Sequence, residues 1–202
     1  VAAATFQTYP FSVGKTYFMR ADGTAATKDA AIGPETDPAA CMNVAVHDAA
    51  SFSAGDRIFV SGLGGLARTV FYPKNGSASG AIVYVASSGG GFSGADLLAG
   101  WTLHAGNVWK ATLATDPYQV WIDGDFGDRK ASLVGVVDHL DWFWDDPTNT
   151  LYLYDSSGDP DNRTAPGVEV CIRQNVAQLN DCSYITLSGL TLEKGYSDGL
   201  NA

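Results

Sequence analysis

The sequence predicts an all-β fold, and three features carry that prediction. Of the 22 acidic residues, 19 are Asp and 3 are Glu, and Asp prefers turns and caps whereas Glu favours helix interiors. The 23 glycines supply the backbone freedom that tight turns need. From residue 57 onward, short apolar runs alternate with Gly, Pro, Asn and Asp, which is the pattern of short strands joined by turns.

Length and charge narrow the function. A chain of 202 residues with 46% hydrophobic residues can bury a sizeable core, so a single β-rich domain over residues 1–202 is expected. The net charge is −10 and the 12 Lys and Arg residues are scattered, which excludes the basic surface of a nucleic-acid binder. Nowhere does an apolar run approach 18 residues, so membrane insertion is not expected either.

The first elements are a strand and a helix. Residues 16–20 form an apolar run that ends at the turn residues Asp22-Gly23. Apolar residues then recur at helical spacing over 39–50, preceded by Asp37-Pro38, a cap followed by proline at the first helical position. The pair His47-Asp48 falls inside this helix, where facing solvent or completing a cap is favoured over a catalytic role.

Short strands follow the helix, and two of them form a hairpin. The predicted strands are 57–61, 69–72, 81–86, 109–113, 119–122, 142–144, 151–154, 168–172 and 184–192. The hairpin joins 142–144 to 151–154 through a polar turn and carries aromatic residues on both arms. Its Trp142 and Trp144 are candidates for stacking on sugars, although packing in the core is the more common use of such residues.

The last 35 residues have a different pattern. Two short alternating strands over 184–195 flank a Ser-Gly bend, so that Ile185, Leu187, Leu190 and Leu192 point inward on either side of a corner. This pattern is typical of one coil of a solenoid, whose interior is buried only when further coils stack on it. The expected organisation is a strand and helix over 14–56, irregular strands and hairpins over 57–167, and the first regular coils over 168–202.

Several segments carry a resemblance when they are taken in order: 16–24, 53–58, 93–97, Trp101, 107–111, 119–124, 151–154 and 183–190. Together they resemble the N-terminal section of secreted right-handed parallel β-helix proteins of the pectin-lyase-like superfamily. The resemblance implies the start of a right-handed parallel β-helix with inserted β-hairpins. It also implies that the helix at 39–50 caps the solenoid, which hides apolar side chains and strand edges at the open end.

The resemblance implies a function only in broad terms, because polysaccharide lyases, glycosidases, uronate epimerases and phage tailspikes share this architecture. One hypothesis is the N-terminal part of an extracellular carbohydrate-active protein that acts on polysaccharide by elimination or hydrolysis. The alternative is a non-catalytic structural or adhesive protein, such as a tailspike or a cell-surface or filament subunit. It would assemble as a homo-oligomer or filament through the open β-helix end. Either hypothesis implies an extracellular, cell-surface or virion location.

Catalytic candidates are few. Asp198, in the turn 196–200, resembles the Asp-Gly-Leu turns of this superfamily, one of which carries a catalytic Asp, but a structural turn is favoured because no second carboxylate is nearby. Lyase chemistry needs a base and a cation that holds enolate charge. Lys194 and Arg173 are candidates for these roles if stacked coils bring them together.

Calcium is the one candidate cofactor. Asp123, Asp125 and Asp128 stand at nearly alternate positions that a calcium ion accepts as ligands. The residue at the twelfth loop position is Val134, so the loop is not an EF-hand, and a hairpin turn with solvated acids is the favoured alternative. The loop 155–162 is a similar but weaker candidate.

Cysteine usage leaves two alternatives open. Cys41, Cys171 and Cys182 are an odd set without metal-binding spacing. Three buried thiols is the favoured interpretation, and one disulfide with a free thiol is the alternative.

Overall fold

The computed structural model describes residues 14–163 and 166–201, and within these ranges most regular structure is β-strand. This confirms the all-β prediction. The strands are β1 (Thr16–Arg20), β2 (Arg57–Ser61), β3 (Ile82–Ser87), β4 (Gly91–Ser93), β5 (Ala95–Leu97), β6 (Thr102–Ala105), β7 (Val108–Thr112), β8 (Gln119–Ile122), β9 (Asp125–Phe126), β10 (Asp128–Arg129), β11 (Asp141–Asp145), β12 (Thr150–Tyr154), β13 (Val168–Cys171), β14 (Asn175–Gln178), β15 (Ile185–Ser188), β16 (Thr191–Glu193) and β17 (Asp198–Asn201).

Helical structure is short. The α-helix α1 (Val44–Ala49) has six residues, and single turns of 3-10 helix occur at Lys28–Ala30, Pro38–Ala40, Gly62–Gly64, Leu133–Gly135, Asp146–Thr148 and Pro160–Asn162. Within the described ranges, none of these helices has the length and apolar character needed to cross a bilayer.

Three sheets consist of parallel strands. The largest has the order β1-β2-β3-β15, and two smaller ones pair β4 with β16 and β14 with β17. In the largest sheet the register stacks Tyr17, Ile58, Tyr84 and Leu187 above one another. The first three of these side chains are almost completely buried, and Leu187 packs against them in the same apolar cluster. Inward residues of successive strands therefore form a continuous core.

Successive passes of the chain visit the three sheets in the same order. One pass runs through β3, β4 and β14, and the next runs through β15, β16 and β17. An earlier pass starts at β2 and continues through isolated parallel bridges at Ala67 and Phe71. The strand predicted at 69–72 is thus only a bridge. Parallel pairing begins at β1, well before residue 168, where the sequence placed the first regular coils.

The long segment between β4 and β14 folds into two further sheets. One has the order β10-β11-β12-β7-β6 and is mixed, since β10 pairs with β11 in parallel and the other pairs are antiparallel. The other has the order β5-β13-β8-β9 and is antiparallel. Their facing residues form a second core that includes Trp101, Val120, Trp142, Leu153 and Val170. We call this unit, residues 94–174, the inserted unit.

The aromatic hairpin is confirmed in the inserted unit. Strands β11 and β12 pair with Trp142 opposite Leu153 and Trp144 opposite Leu151. Because side chains of a strand alternate between its two faces, these residues point to the second core, where Trp142 is 0% exposed. Phe143, between the two tryptophans, lies on the opposite face of the sheet.

The helix predicted over 39–50 is interrupted in the structure. Asp37 caps only the 3-10 turn Pro38–Ala40, and Met42 is extended, exchanging backbone hydrogen bonds with β1. Asn43 then caps α1 by accepting a hydrogen bond from the Val46 amide at 3.0 Å. Backbone pairing with an edge strand has therefore overridden the helical propensity of this segment. The shortened helix packs beside β1.

Glycine is required where the chain turns from β3 to β4. A Cβ atom built on Gly90 would lie 1.8 Å from the backbone oxygen of Val60 on β2. Adjacent layers approach too closely here for any side chain. The neighbouring Gly89 has φ +74° but open space around it, so its requirement is conformational.

Candidate functional site

The candidate site is centred on Glu169, a buried carboxylate where the inserted unit meets the parallel sheets. Glu169 lies on β13, the strand that pairs with both β5 and β8. Its neighbours Val168 and Val170 face the second core, so alternation turns Glu169 to the other face of the sheet. Only 1% of the residue is exposed. Trp121 stands opposite it on β8.

Two cations hold the Glu169 carboxylate. The Lys194 ammonium lies 2.5 Å from its Oε2 atom, and Nη1 of Arg68 lies 2.9 Å from its Oε1 atom. Lys194 directly follows β16, and Arg68 lies in the segment between β2 and β3. A buried carboxylate needs such partners, because an isolated charge is expensive to remove from water.

Lys194 is held in an unusual conformation. Its φ angle is +57°, a left-handed value that costs roughly 1 kcal/mol for a residue with a side chain. Its ammonium lies 5.7 Å from the centroid of the Trp121 ring and 3.5 Å from Oε1 of Glu193. The ion pair with Glu169 and the aromatic contact therefore offset a local strain.

A second ion pair borders the site. Arg173 binds Asp96 in a two-pronged geometry, with Nη1–Oδ1 at 2.7 Å and Nη2–Oδ2 at 3.0 Å. The Cys171 thiol lies 3.1 Å from the carbonyl oxygen of Lys194 and 3.6 Å from that of Arg173. The Cys171 thiol thus links the backbones of Lys194 and Arg173, the two residues that the sequence proposed as neighbours on stacked coils.

Exposed aromatic rings form the rim of the site. Tyr118 and Tyr196 are 45% and 57% exposed, and their rings stack with centroids 3.8 Å apart. Their backbone amides donate to the carbonyl oxygens of Cys171 and Arg173, which holds the backbones of both tyrosines next to Arg173 of the second ion pair. Phe126, 68% exposed, stands edge-on against Trp121. We call Glu169, Lys194, Arg68, Arg173 and Asp96, with these rings, the junction site.

The ion pairs of the junction site leave no free base for an elimination. An ammonium that donates to Glu169 and Glu193 has no lone pair with which to act as the base of an elimination. The two donors of Arg173 that face Asp96 are occupied in the same way. Flat exposed rings beside fixed polar groups are instead an arrangement that recognises ligands with both apolar and hydroxylated faces.

The two tryptophan candidates lie elsewhere. Trp142 is fully buried in the second core and offers no ring face to a sugar, which corrects its candidacy. Trp144 is half-buried against the same core, and its indole N–H donates to the carbonyl oxygen of Leu113 at 3.0 Å. Strand alternation places both inward, so core packing is the observed use of these rings.

The predicted calcium loop is a hairpin turn. Asp123 and Gly124 both have positive φ, at +52° and +91°, and they join β8 to β9 as the two-residue turn typical of such sequences. Asp125 and Asp128 are exposed, and Asp128 pairs with Lys130 at 2.6 Å. In the part of the chain that the structure describes, no three His, Cys, Asp or Glu side chains are grouped as metal ligands.

A guanidinium neutralises the acids next to that turn. Arg163 bonds Asp155 from Nε at 2.7 Å and contacts Asp123 through Nη1. The hydrogen bond with Asp155 is the main cause that raises the pKa of Arg163. The three residues line an open pocket of about 510 Å³ together with the weaker calcium candidate, the 155–162 loop. The Arg163 guanidinium thus lies between the carboxylates of Asp123 and Asp155.

His47 is placed differently from the expectation. It is 0% exposed, with Nδ1 2.9 Å from Asp48 and Nε2 2.9 Å from the Tyr84 hydroxyl. That hydroxyl also accepts the backbone N–H of Lys74, and burial raises the pKa of Tyr84. The prediction that His47 faces solvent or completes a cap is wrong, because the helix that carries it turns this side chain into the core.

The remaining predictions from the sequence concern Asp198 and the three cysteines. The backbone of Asp198 lies in β17, but its side chain is outside the part of the structure that is described, so its catalytic candidacy stays a prediction. The three cysteines are free, Cys41 and Cys171 being buried and Cys182 half-buried. Burial raises the pKa of each thiol.

Sequence reasoning missed Glu169, Arg68 and the rim tyrosines. One signal was present: Glu169 is one of only 3 Glu residues and interrupts the apolar run Val168–Cys171, where Glu is disfavoured. Nothing local connects it to Arg68, 101 residues earlier. The pairing exists only after the parallel sheets have formed.

Two solved structures are similar to this chain. One is a complex of XylC with xylose, with a TM-score of 0.69 and 18% identity, covering 91% of this chain and 36% of that chain. The other is described as a glycoside hydrolase, with a TM-score of 0.63 and 10% identity, covering 90% of this chain and 51% of that one. At these identities the likeness shows a common fold. No protein-family model and no curated protein matches the sequence.

Proposed function

We propose that this chain is the N-terminal part of a carbohydrate-active protein built on a right-handed parallel β-helix, and that the junction site binds saccharide. The observation that carries the proposal is the pair of rim tyrosines, Tyr118 and Tyr196, stacked and exposed beside two fixed ion pairs. One similar structure is a complex with xylose and the other is described as a glycoside hydrolase.

The β-helix proposal is supported by the parallel sheets. Three sheets receive strands in the same order on successive passes, and residues such as Tyr17, Ile58 and Tyr84 stack in register. A crossover between parallel strands is right-handed in nearly all proteins, which supports the handedness. The inserted unit leaves this stack after β4 and returns to it at β14.

Between the two reaction types that the sequence allowed, the geometry favours hydrolysis. Elimination would need a free base near a cation, and the ion pairs occupy Lys194 and Arg173. Hydrolysis needs a proton donor and a second carboxylate. Residues of the junction site would hold the sugar chain, while the acid and base would come from a different part of the solenoid.

A second candidate function is that of a non-catalytic assembly protein, and partly buried leucines favour it. In the last layer Leu187, Leu190 and Leu192 are only partly buried, so a further layer or a second copy would shield them. An extracellular or cell-surface location is part of either proposal.

Calorimetric titration with neutral oligosaccharides, including xylo-oligosaccharides, tests the proposal together with an assay for new reducing ends. We expect Tyr196→Ala and Tyr118→Ala each to weaken binding about tenfold, because truncating an aromatic anchor typically costs more than 1 kcal/mol. Tyr72→Ala is the matched control, since Tyr72 is similarly exposed, at 48%, and does not belong to the junction site.

Either of two results would contradict the proposal. Oligosaccharides that bind the two rim variants as tightly as the unmodified protein would exclude the junction site. Absence of both binding and new reducing ends across neutral and acidic polysaccharides would exclude the carbohydrate function itself.

A further inference from the structure

The outer face of the five-stranded sheet carries a row of aromatic rings and a lysine. Phe143 on β11, Tyr152 on β12 and Lys110 on β7 occupy one cross-strand row, because Phe143 pairs with Tyr152 and Tyr152 pairs with Lys110. Alternation separates this row from Trp142 and Leu153, which face the second core. We define the outer row as Phe143, Tyr152, His104 and Lys110.

The three rings of the outer row are in contact. Phe143 and Tyr152 are nearly parallel, with centroids 6.4 Å apart and planes at 21°. The His104 ring meets Tyr152 edge-on at 5.1 Å, and a bulge between Leu103 and Ala105 sets its position on β6. Phe143 and Tyr152 are partly exposed and His104 is exposed. These rings add no area to either core.

Lys110 is unusual among the cations of this protein. Of the 12 Lys and Arg residues, all except Lys110 and Arg57 have a side-chain hydrogen bond or ion pair within residues 14–163 and 166–201. In a chain of net charge −10, an amine left without a carboxylate is unexpected. Lys110 is half-buried and stands opposite Tyr152, and its ammonium offers three donors to an outside acceptor.

We propose that the outer row binds a saccharide chain that carries a carboxylate, at a place separate from the junction site. The rings offer flat apolar faces to the C–H faces of sugar rings, and the Lys110 ammonium pairs with the carboxylate. The two acidic residues that lie two positions from Phe143 along β11 have other partners: Asp145 accepts a hydrogen bond from Thr148, and Asp141 pairs with Lys130. This inference rests on the proposed carbohydrate function and specifies one ligand class for it.

Charge complementarity decides the choice between acidic and neutral sugars. A neutral saccharide would use the rings but would leave the ammonium with only neutral acceptors. A charge-assisted hydrogen bond is roughly twice as strong as a neutral one. The carboxylate-bearing chain is therefore the ligand that satisfies every group of the outer row.

The test compares a xylo-oligosaccharide with the same oligosaccharide substituted by one glucuronic acid, by calorimetric titration of the intact protein. We expect the acidic ligand to bind about tenfold more tightly, as hydrogen bonds to charged groups imply. This preference shrinks as salt rises from ~0.1 M to ~1 M, because exposed charges are screened.

Variants assign that preference to Lys110. Lys110→Gln removes the difference between the two ligands, Lys110→Arg keeps most of it, and Arg57→Gln, which deletes the other unpaired cation, leaves it unchanged. Tyr152→Ala weakens both ligands without changing the melting temperature by more than about 3 °C, since its ring lies outside the cores.

Equal affinity for the two ligands, or a preference that survives Lys110→Gln, would overturn this inference. Binding that is lost in Tyr196→Ala but unaffected in Tyr152→Ala would overturn it while leaving the junction site and the proposed function intact. Failure of the unmodified protein to bind either ligand would instead count against the proposed function itself.

Discussion

Replacing Glu169 by Gln removes the charge at the centre of the junction site while keeping the shape of the side chain. The unmodified carboxylate is 1% exposed and shared by Lys194 and Arg68. Breaking a buried ion pair by removing one partner typically costs about 3–5 kcal/mol. The side chains of Lys194 and Arg68 are 17% and 29% exposed, so water partly replaces the lost partner.

We therefore expect Glu169→Ala to lower the free energy of unfolding by about 3 kcal/mol, the lower end of that range. Glu169→Gln, whose amide oxygen still accepts a hydrogen bond, should lower it by about 2 kcal/mol, below that range. Equilibrium unfolding in urea, followed by tryptophan fluorescence, measures both values. A total stability of about 5–15 kcal/mol is usual for a domain, so either variant remains folded in water and the loss is measurable.

The matched control is Glu193→Gln, which removes a carboxylate from the same lysine. The Glu193 side chain is 39% exposed and its contact with Lys194 is 3.5 Å long, so its loss is expected to cost less than about 1 kcal/mol. A double-mutant cycle between Glu169→Gln and Lys194→Met isolates the pair. Equal effects of Glu169→Gln and Glu193→Gln, both within about 0.5 kcal/mol of the unmodified protein, would refute the buried ion pair.

Three further predictions concern other parts of the fold. Gly90→Ala places a Cβ atom 1.8 Å from a backbone oxygen of β2 and is expected to prevent folding or to cost several kcal/mol of stability. Gly89→Ala, which has open space around it, is expected to cost about 1 kcal/mol. Equal melting temperatures of the two variants would contradict this prediction. Trp142→Ala is expected to lower the free energy of unfolding in urea by about 3–5 kcal/mol. Phe143→Ala, on the outer face, is expected to lower it by less than about 1 kcal/mol. The reverse order of the two values would mean that the strand register is wrong. Burial alone would raise the pKa of Asp141, but a lysine ammonium and two backbone amides lower it. The ionised Asp141 carboxylate therefore stabilises the fold fully at pH values above its ordinary pKa of about 3.9. This stabilisation is lost as the pH falls through the lower pKa that Asp141 has in the folded protein. Asp141→Asn should flatten this acid dependence in melts between pH ~2 and ~5, and an unchanged slope would argue against it.

The local sequence pattern was sufficient to predict several strands and one hairpin. Strand β2 (Arg57–Ser61) and strand β8 (Gln119–Ile122) begin and end as the apolar runs predicted. The hairpin of β11 and β12 follows from its aromatic arms and polar turn. The prediction of a continuous helix over 39–50 was wrong because Met42 pairs with β1. Helical periodicity contains no information on such a long-range interaction.

The alternating pattern also identified which rings share a face, but not which face is buried. Trp142 and Trp144 were the sugar-stacking candidates, yet their face packs on β8 and β13, and Phe143 is on the open side. The choice between the two faces depends on where the second sheet packs, which is a property of the whole inserted unit.

For this protein, the sequence by itself determined the all-β class, the aromatic hairpin and the inward positions of Leu187, Leu190 and Leu192, because these depend on turn residues and on two-residue alternation. Only the tertiary structure decided the junction site. Glu169, Lys194 and Arg68 come from three distant parts of the chain. They meet because the parallel sheets and the antiparallel sheet of the inserted unit bring residues together that are far apart in sequence. A buried carboxylate must find its cations wherever the fold places them.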